Sequence, residues 1–96
     1  LLYHADSDIV FACWNSNMQD RDESGSIAAN YRLLEKDIRL VHITELCSEY
    51  PWRRMFELLN GSGYDGFTLA EIPESADAVR LMKYYRALWL ALGANG

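Results

Sequence analysis

Apolar and polar positions alternate along the chain in a way that separates it into six segments. Three short apolar runs rich in Val, Ile, Phe and Thr, "DIVFACWN" (8–15), "IRLVHITEL" (38–46) and "GFTLAEI" (66–72), are each bounded by polar residues or glycine, the pattern of buried strands. Between and after them the apolar period lengthens to that of a helix. "SIAANYRLLEKD" (26–37) follows the acidic loop "MQDRDESG", with Ser24 or Ser26 as the expected cap. "PWRRMFELLNGSG" (51–63) has Pro51 at an expected first helical position, apolar Trp52, Met55, Phe56 and Leu59 on one stripe, and glycines at its end. "SADAVRLMKYYRALWLALG" (75–93) offers Ser75 as a cap and a face built from Leu81, Tyr85, Leu88, Trp89 and Leu92.

The order strand, helix, repeated three times, predicts an α/β protein with parallel strands joined by right-handed helical crossovers. The strand ends recur evenly: Asn15 to His42 is 27 residues and His42 to Glu71 is 29. A parallel sheet needs helices on both faces or closure into a barrel, and three units supply neither. A complete eightfold barrel takes roughly 250 residues, so residues 1–96 read as a single unit, three consecutive β-α units forming the last third of a (β/α)8 TIM barrel. Three units leave two strand edges unpaired and one apolar face uncovered, so this stretch alone is expected to be marginal, oligomeric or aggregation-prone. The chain starts at Leu1 rather than Met, consistent with a larger domain.

Composition narrows the function more than the fold. Fourteen acidic residues against nine basic ones give a net charge of −5, and the basic residues are scattered singly apart from Arg53-Arg54. That argues against a nucleic-acid partner, which would need a basic patch. No apolar stretch reaches the roughly 18 residues of a membrane span, and there is no signal peptide. Cys13 and Cys47 are far apart, without CxxC spacing, which fits reduced thiols in a cytoplasmic protein.

Candidate chemistry comes from the strand ends. "FACWNSN" places two asparagines at the close of an apolar run, where amides either finish the strand at a solvent-filled site or satisfy each other. Side chains alternate along a strand, so Asn15 shares a face with Phe11 and Cys13, His42 with Leu40 and Thr44, and Glu71 with Phe67 and Leu69. Each run thus carries one polar, metal-binding or proton-handling group near its carboxyl end, where barrel enzymes do their chemistry. Taken singly, a histidine in "LVHIT" is more often a satisfied structural residue, whereas a carboxylate within "TLAEIP" is rarely buried without a partner. Glu45, Asp20, Asp22 and Glu23 read as solvated loop charges, Trp52, Met55, Tyr85 and Trp89 as core, and Arg53-Arg54 as a surface helix face.

The segments "CWNSN", "VHITEL", "YPWRRMFELLNGSGYDGFTLAEIPES" and "YYRALW" resemble the carboxyl-terminal portion of sugar phosphate isomerases/epimerases of the xylose isomerase-like TIM-barrel superfamily. The resemblance covers nearly the whole chain, and "GYDGFTLAE" is its most specific part. It implies carbohydrate metabolism and a divalent metal at the barrel mouth, with Mn, Mg, Co and Zn not distinguished. His42 matches the family's histidine ligand and Glu71 its final glutamate, which would act as ligand and as the catalytic acid/base. The position of the sixth-strand aspartate falls on Asn15, a departure: an amide oxygen can ligate a hard cation but brings no charge and cannot act as a base.

The resemblance further implies that Asn17 can hydrogen-bond a substrate hydroxyl beside Asn15, and that Glu45 orients His42 from behind. The expected activity is isomerisation or epimerisation of a sugar or sugar phosphate, by metal-assisted proton transfer next to a carbonyl through an enediolate. A further metal-bearing carboxylate from a middle strand lies outside this chain, so the fragment alone is expected to be inactive. The alternative is a non-catalytic or metal-free barrel relative that binds a small polyol-type ligand. A homo-oligomer is compatible with either reading. The abasic-site endonuclease branch of the same superfamily fits poorly, because it needs more histidines and a basic surface.

Overall fold

The computed structural model describes residues 11–94. The elements follow the expected order: strand β1 (Ala12–Trp14), a short 3-10 turn (Met18–Asp20), helix α1 (Ala28–Leu34), strand β2 (Ile38–Ile43), helix α2 (Trp52–Gly61), strand β3 (Phe67–Ala70) and helix α3 (Ala78–Ala91). The three strands form one sheet in the order β1-β2-β3, and both pairings are parallel. The chain is therefore three consecutive β-α units.

Element ends differ from the expectation in physically simple ways. Residues 8–10 of the first apolar run lie outside the described residues, and pairing stops at Trp14. Ser26, not Ser24, meets the start of α1: its Oγ accepts the Ala28 N–H at 3.1 Å. Pro51 stands just before α2 instead of inside it, and its carbonyl takes the Met55 N–H. Ser75 does not cap α3; its Oγ accepts the Asp77 N–H within a turn, and the helix begins at Ala78. At the far end of α2, Gly63 adopts φ 72°, a left-handed conformation that glycine takes without cost, and the Tyr64 N–H returns to the Leu59 carbonyl.

All three helices lie on one side of the sheet. Trp14, Val41 and Ile43 point to that side and join Ile27 and Tyr31 of the first unit, Leu46 and Tyr50 of the β2-α2 loop, and Trp52, Met55, Phe56, Leu58 and Leu59 of α2 in one buried cluster. Burying a large apolar side chain contributes about 1.5–3 kcal/mol, so α2, with five, anchors the fold. Helix α3 has no fully buried residue; Tyr85, Leu88, Trp89 and Leu92 rest against the cluster part-exposed. The register of β1 on β2 is irregular between Ala12 and Cys13, where β2 carries one extra residue, and Ile38 reaches the core out of step with Leu40.

The other side of the sheet is bare. Phe11 is 49% exposed, Phe67 75% and Leu69 41%, and Leu40 lies on the same side. Gly66 leads into β3 so close to β2 that a Cβ there would lie 2.7 Å from the Arg39 carbonyl oxygen, which explains the glycine of "YDGF".

Candidate functional site

The bare face carries the polar strand ends. In β2, Val41 and Ile43 point into the core, so His42 between them points out of it. His42 pairs with Leu69 and Ile43 with Ala70, and the next residue, Glu71, donates its N–H to the Ile43 carbonyl at 2.8 Å. Two strands held in this register set the two side chains on one face, and His42 Nδ1 is hydrogen-bonded to Glu71 Oε2. The imidazole is 26% exposed and the carboxylate 63%. A carboxylate only accepts, so the shared proton sits on Nδ1 when the ring is neutral, and Nε2 keeps a lone pair for a proton or a cation.

Asn15 follows Trp14, which pairs with Val41, so the same register brings Asn15 level with His42 and opposite in direction to Trp14. Glu71 lies two residues beyond Leu69, the register partner of His42, so it stands one step further toward the strand ends than Asn15 and His42. Asn15 makes no hydrogen bond to His42 or Glu71 among the described residues; its Oδ1 accepts from Cys13 Sγ at 3.4 Å. Asn17 caps the turn that follows β1. Its Oδ1 accepts the Gln19 N–H at 3.1 Å while its own N–H goes to Asp20 Oδ2 at 2.9 Å, a reciprocal cap on the 3-10 turn. Ser16, between the two asparagines of "NSN", has φ 55°. Ser16 is buried, and among the described residues its Oγ has no hydrogen-bond partner. A non-glycine residue in this conformation is held by its surroundings.

Those surroundings centre on Tyr50, which reading the sequence did not single out. Its hydroxyl accepts from Trp14 Nε1 at 2.9 Å and donates to Asp20 Oδ2 at 2.9 Å, so a buried phenol ties the end of β1 to the turn that follows it. Burial, followed by the negative charge of Asp20, pushes the Tyr50 hydroxyl far above its ordinary pKa, so it stays a donor. Asp20 is accordingly more than a solvated loop charge. Asp22, by contrast, is fully exposed; the Ser24 hydroxyl, then the Ser26 and Ser24 backbone, hold its carboxylate below the usual range. Glu45 does not reach His42: its Oε1 accepts the Cys47 N–H at 3.3 Å in the loop after β2. Tyr85 of α3 donates to the Ile43 and Thr44 carbonyls at 3.1 and 2.8 Å, beneath the histidine.

The donor set facing outward is one imidazole nitrogen, one carboxylate and one neutral amide. Among the described residues no three His, Cys, Asp or Glu side chains come together as a metal-binding group. An imidazole nitrogen and a carboxylate oxygen are donor types that zinc, manganese and cobalt accept, but as arranged the carboxylate meets Nδ1 of the ring and does not converge with Nε2 on one point. Comparison with protein-family models, with curated proteins and with solved structures found no match. No helix among the described residues is long and apolar enough to cross a membrane.

Proposed function

We propose that this chain is the carboxyl-terminal third of a (β/α)8 barrel of the xylose isomerase-like kind, and that the protein isomerises or epimerises a sugar or sugar phosphate by moving a proton next to a carbonyl through an enediolate. The observation that carries the reading is the pairing of His42 with Glu71 at the carboxyl ends of adjacent parallel strands, on the face left bare by the helices. A one-sided three-stranded parallel sheet is what a barrel segment looks like when its inner surface is seen without the other strands. The resemblance of "VHITEL" and "GYDGFTLAE" to that family supplies the reaction class.

The roles follow from chemistry. His42 offers Nε2 as a ligand, because Nδ1 is engaged by Glu71. Glu71 keeps Oε1 free, and a carboxylate at the mouth can take a proton from a sugar carbon and return it to the neighbouring one. Asn15 offers an amide oxygen as a neutral ligand or an N–H to a hydroxyl. Asn17 spends its oxygen on the cap, which leaves its NH2 for a substrate hydroxyl. A divalent cation at this site would supply the positive charge that polarises the sugar's carbonyl and hydroxyl oxygens. Further ligands would come from strands outside this chain.

Solvent-isotope exchange at a sugar carbon, in the presence of manganese, tests the reading. Incorporation that disappears in Glu71→Ala supports it. A second reading, a barrel relative that binds a polyol without turning it over, is favoured by the neutral Asn15, whose oxygen is already engaged by Cys13. Binding of sugars without exchange would select it.

A further inference from the structure

The Ile43 carbonyl oxygen accepts two donors: the backbone N–H of Glu71 at 2.8 Å and the hydroxyl of Tyr85 at 3.1 Å. The same hydroxyl reaches the Thr44 carbonyl at 2.8 Å. His42 immediately precedes these two residues. One phenol from the last helix therefore fastens the end of β2 at the point where Glu71 is hung beside it, from the side of the sheet opposite to the paired side chains. Among the described residues no hydrogen bond joins the Tyr85 side chain to His42 or Glu71; its hydroxyl meets the Ile43 and Thr44 carbonyls. We propose that Tyr85 is a positioning residue for the His42–Glu71 pair, acting through the Ile43 and Thr44 carbonyls.

Two features make the hydroxyl matter. Helix α3 has no fully buried residue; beside the part-exposed packing of Tyr85, Leu88, Trp89 and Leu92, this hydroxyl is its polar contact with the end of β2, while Arg53 Nη1 to the Ala91 carbonyl at 3.3 Å and Asn60 Nδ2 to the Gly93 carbonyl at 2.9 Å tie its far end to α2. Without Tyr85, the Thr44 carbonyl loses its donor, and the last residues of β2 are held on one side alone. Burial, then the nearby Glu45 charge, also raises the pKa of the phenol, which favours its protonated, donating form. A shift of the strand end by a few tenths of an ångström is enough to misalign a side-chain hydrogen bond, whose strength falls steeply with angle.

The inference rests on His42 and Glu71 being the working site, but its test reads the pair itself and not the turnover. In protein labelled with 15N-histidine at mildly alkaline pH, the ring nitrogen shifts report which nitrogen carries the proton; the His42 signals are those missing from His42→Gln, which separates them from His4. The parent is expected to hold His42 in the Nδ1–H form. In Tyr85→Phe, which keeps the ring and removes the donor, the ratio of Nδ1–H to Nε2–H should fall about fivefold, the equivalent of one ordinary hydrogen bond. With p-aminophenylalanine at position 85, a weaker donor in the same place, the ratio should be intermediate. If the phenylalanine variant does not fold, the parent and the p-aminophenylalanine form still decide. A parent ratio retained in either folded variant, or a parent with no preference for Nδ1–H, overturns the proposal. Manganese titration of the parent and His42→Gln is run alongside: equal binding would remove the metal reading and leave the ring signals to judge Tyr85.

Discussion

The sheet has two faces made by the same three strands, and they have opposite characters. On the helix side, Trp14, Val41 and Ile43 are almost completely removed from water and meet Tyr31, Met55 and Phe56. On the other side, Phe11, Phe67 and Leu69 stand open to solvent beside His42 and Glu71. Period-two alternation fills both faces with apolar residues, yet only one is covered. The lesson is one of dependence: the covered face supplies the burial that holds the strands in register, and that register sets His42 beside Glu71 on the face the helices leave bare.

The largest effect should come from the covered face. Phe56→Ala is expected to cost about 3–5 kcal/mol, as for other buried phenylalanines, which a fold of this size will barely survive. Phe67→Ala, on the bare face, should change stability by no more than about 0.5 kcal/mol. Urea unfolding of both variants measures the contrast, and equal losses would mean that the bare face is covered in solution. Phe67→Lys sharpens the same point: it should lower self-association, seen by sedimentation, while leaving the unfolding midpoint in place.

Next in size is the polar anchor between the faces. Tyr50→Phe leaves the Trp14 indole N–H without its acceptor and the Asp20 carboxylate without its buried donor, at a cost of about 1–3 kcal/mol. A neutral result in chemical denaturation would show that water replaces the phenol at no penalty. At the site itself, Glu71→Ala and His42→Ala should each weaken divalent-metal binding about 10–100-fold, whereas Asn15→Asp should tighten it by restoring a charged oxygen. Calorimetric titration with equal affinities across the parent and these variants would dismiss the strand-end residues as a metal site.

The smallest effect concerns acid. The Asp22 carboxyl is held below its ordinary value by the Ser24 hydroxyl and the Ser26 and Ser24 backbone. Its folded pKa is depressed, so its contribution is present above the unfolded value of 3.8 and is lost as pH falls through the lower folded value. The group is fully exposed, so the difference between the parent and Asp22→Asn should be slight near neutrality and should vanish in strong acid. A difference that instead grew with acidification would reverse the sign of the argument.

Much of this architecture was legible in the chain, for reasons that differ from residue to residue. The three strands declared themselves because β-branched and aromatic runs fit a pleated surface and helical stripes separated them. His42 and Glu71 were legible as partners because their spacing repeats that of the β-α unit, and period-two alternation aims both the same way. Tyr50, Asp20 and Tyr85 were not, since their roles depend on hydrogen bonds between residues 30, 36 and more than 40 positions apart, and no local pattern records such contacts. The cap that Asn17 puts on the 3-10 turn was not legible either, because it follows Ser16 at φ 55°, a conformation that no local pattern announces.

The sequence by itself determined the order of elements, the parallel sense of the strands and the side of each strand on which its polar end would fall, because these follow from local periodicity and from the handedness of crossovers. Only the tertiary structure decided which face of the sheet the helices cover, that β2 carries an extra residue opposite β1, and that one carbonyl, that of Ile43, joins Glu71 to Tyr85. Both faces are apolar, so composition cannot choose between them. The choice falls to packing, where the side chains of α2 and the strands must fill a common volume and every buried donor must find an acceptor.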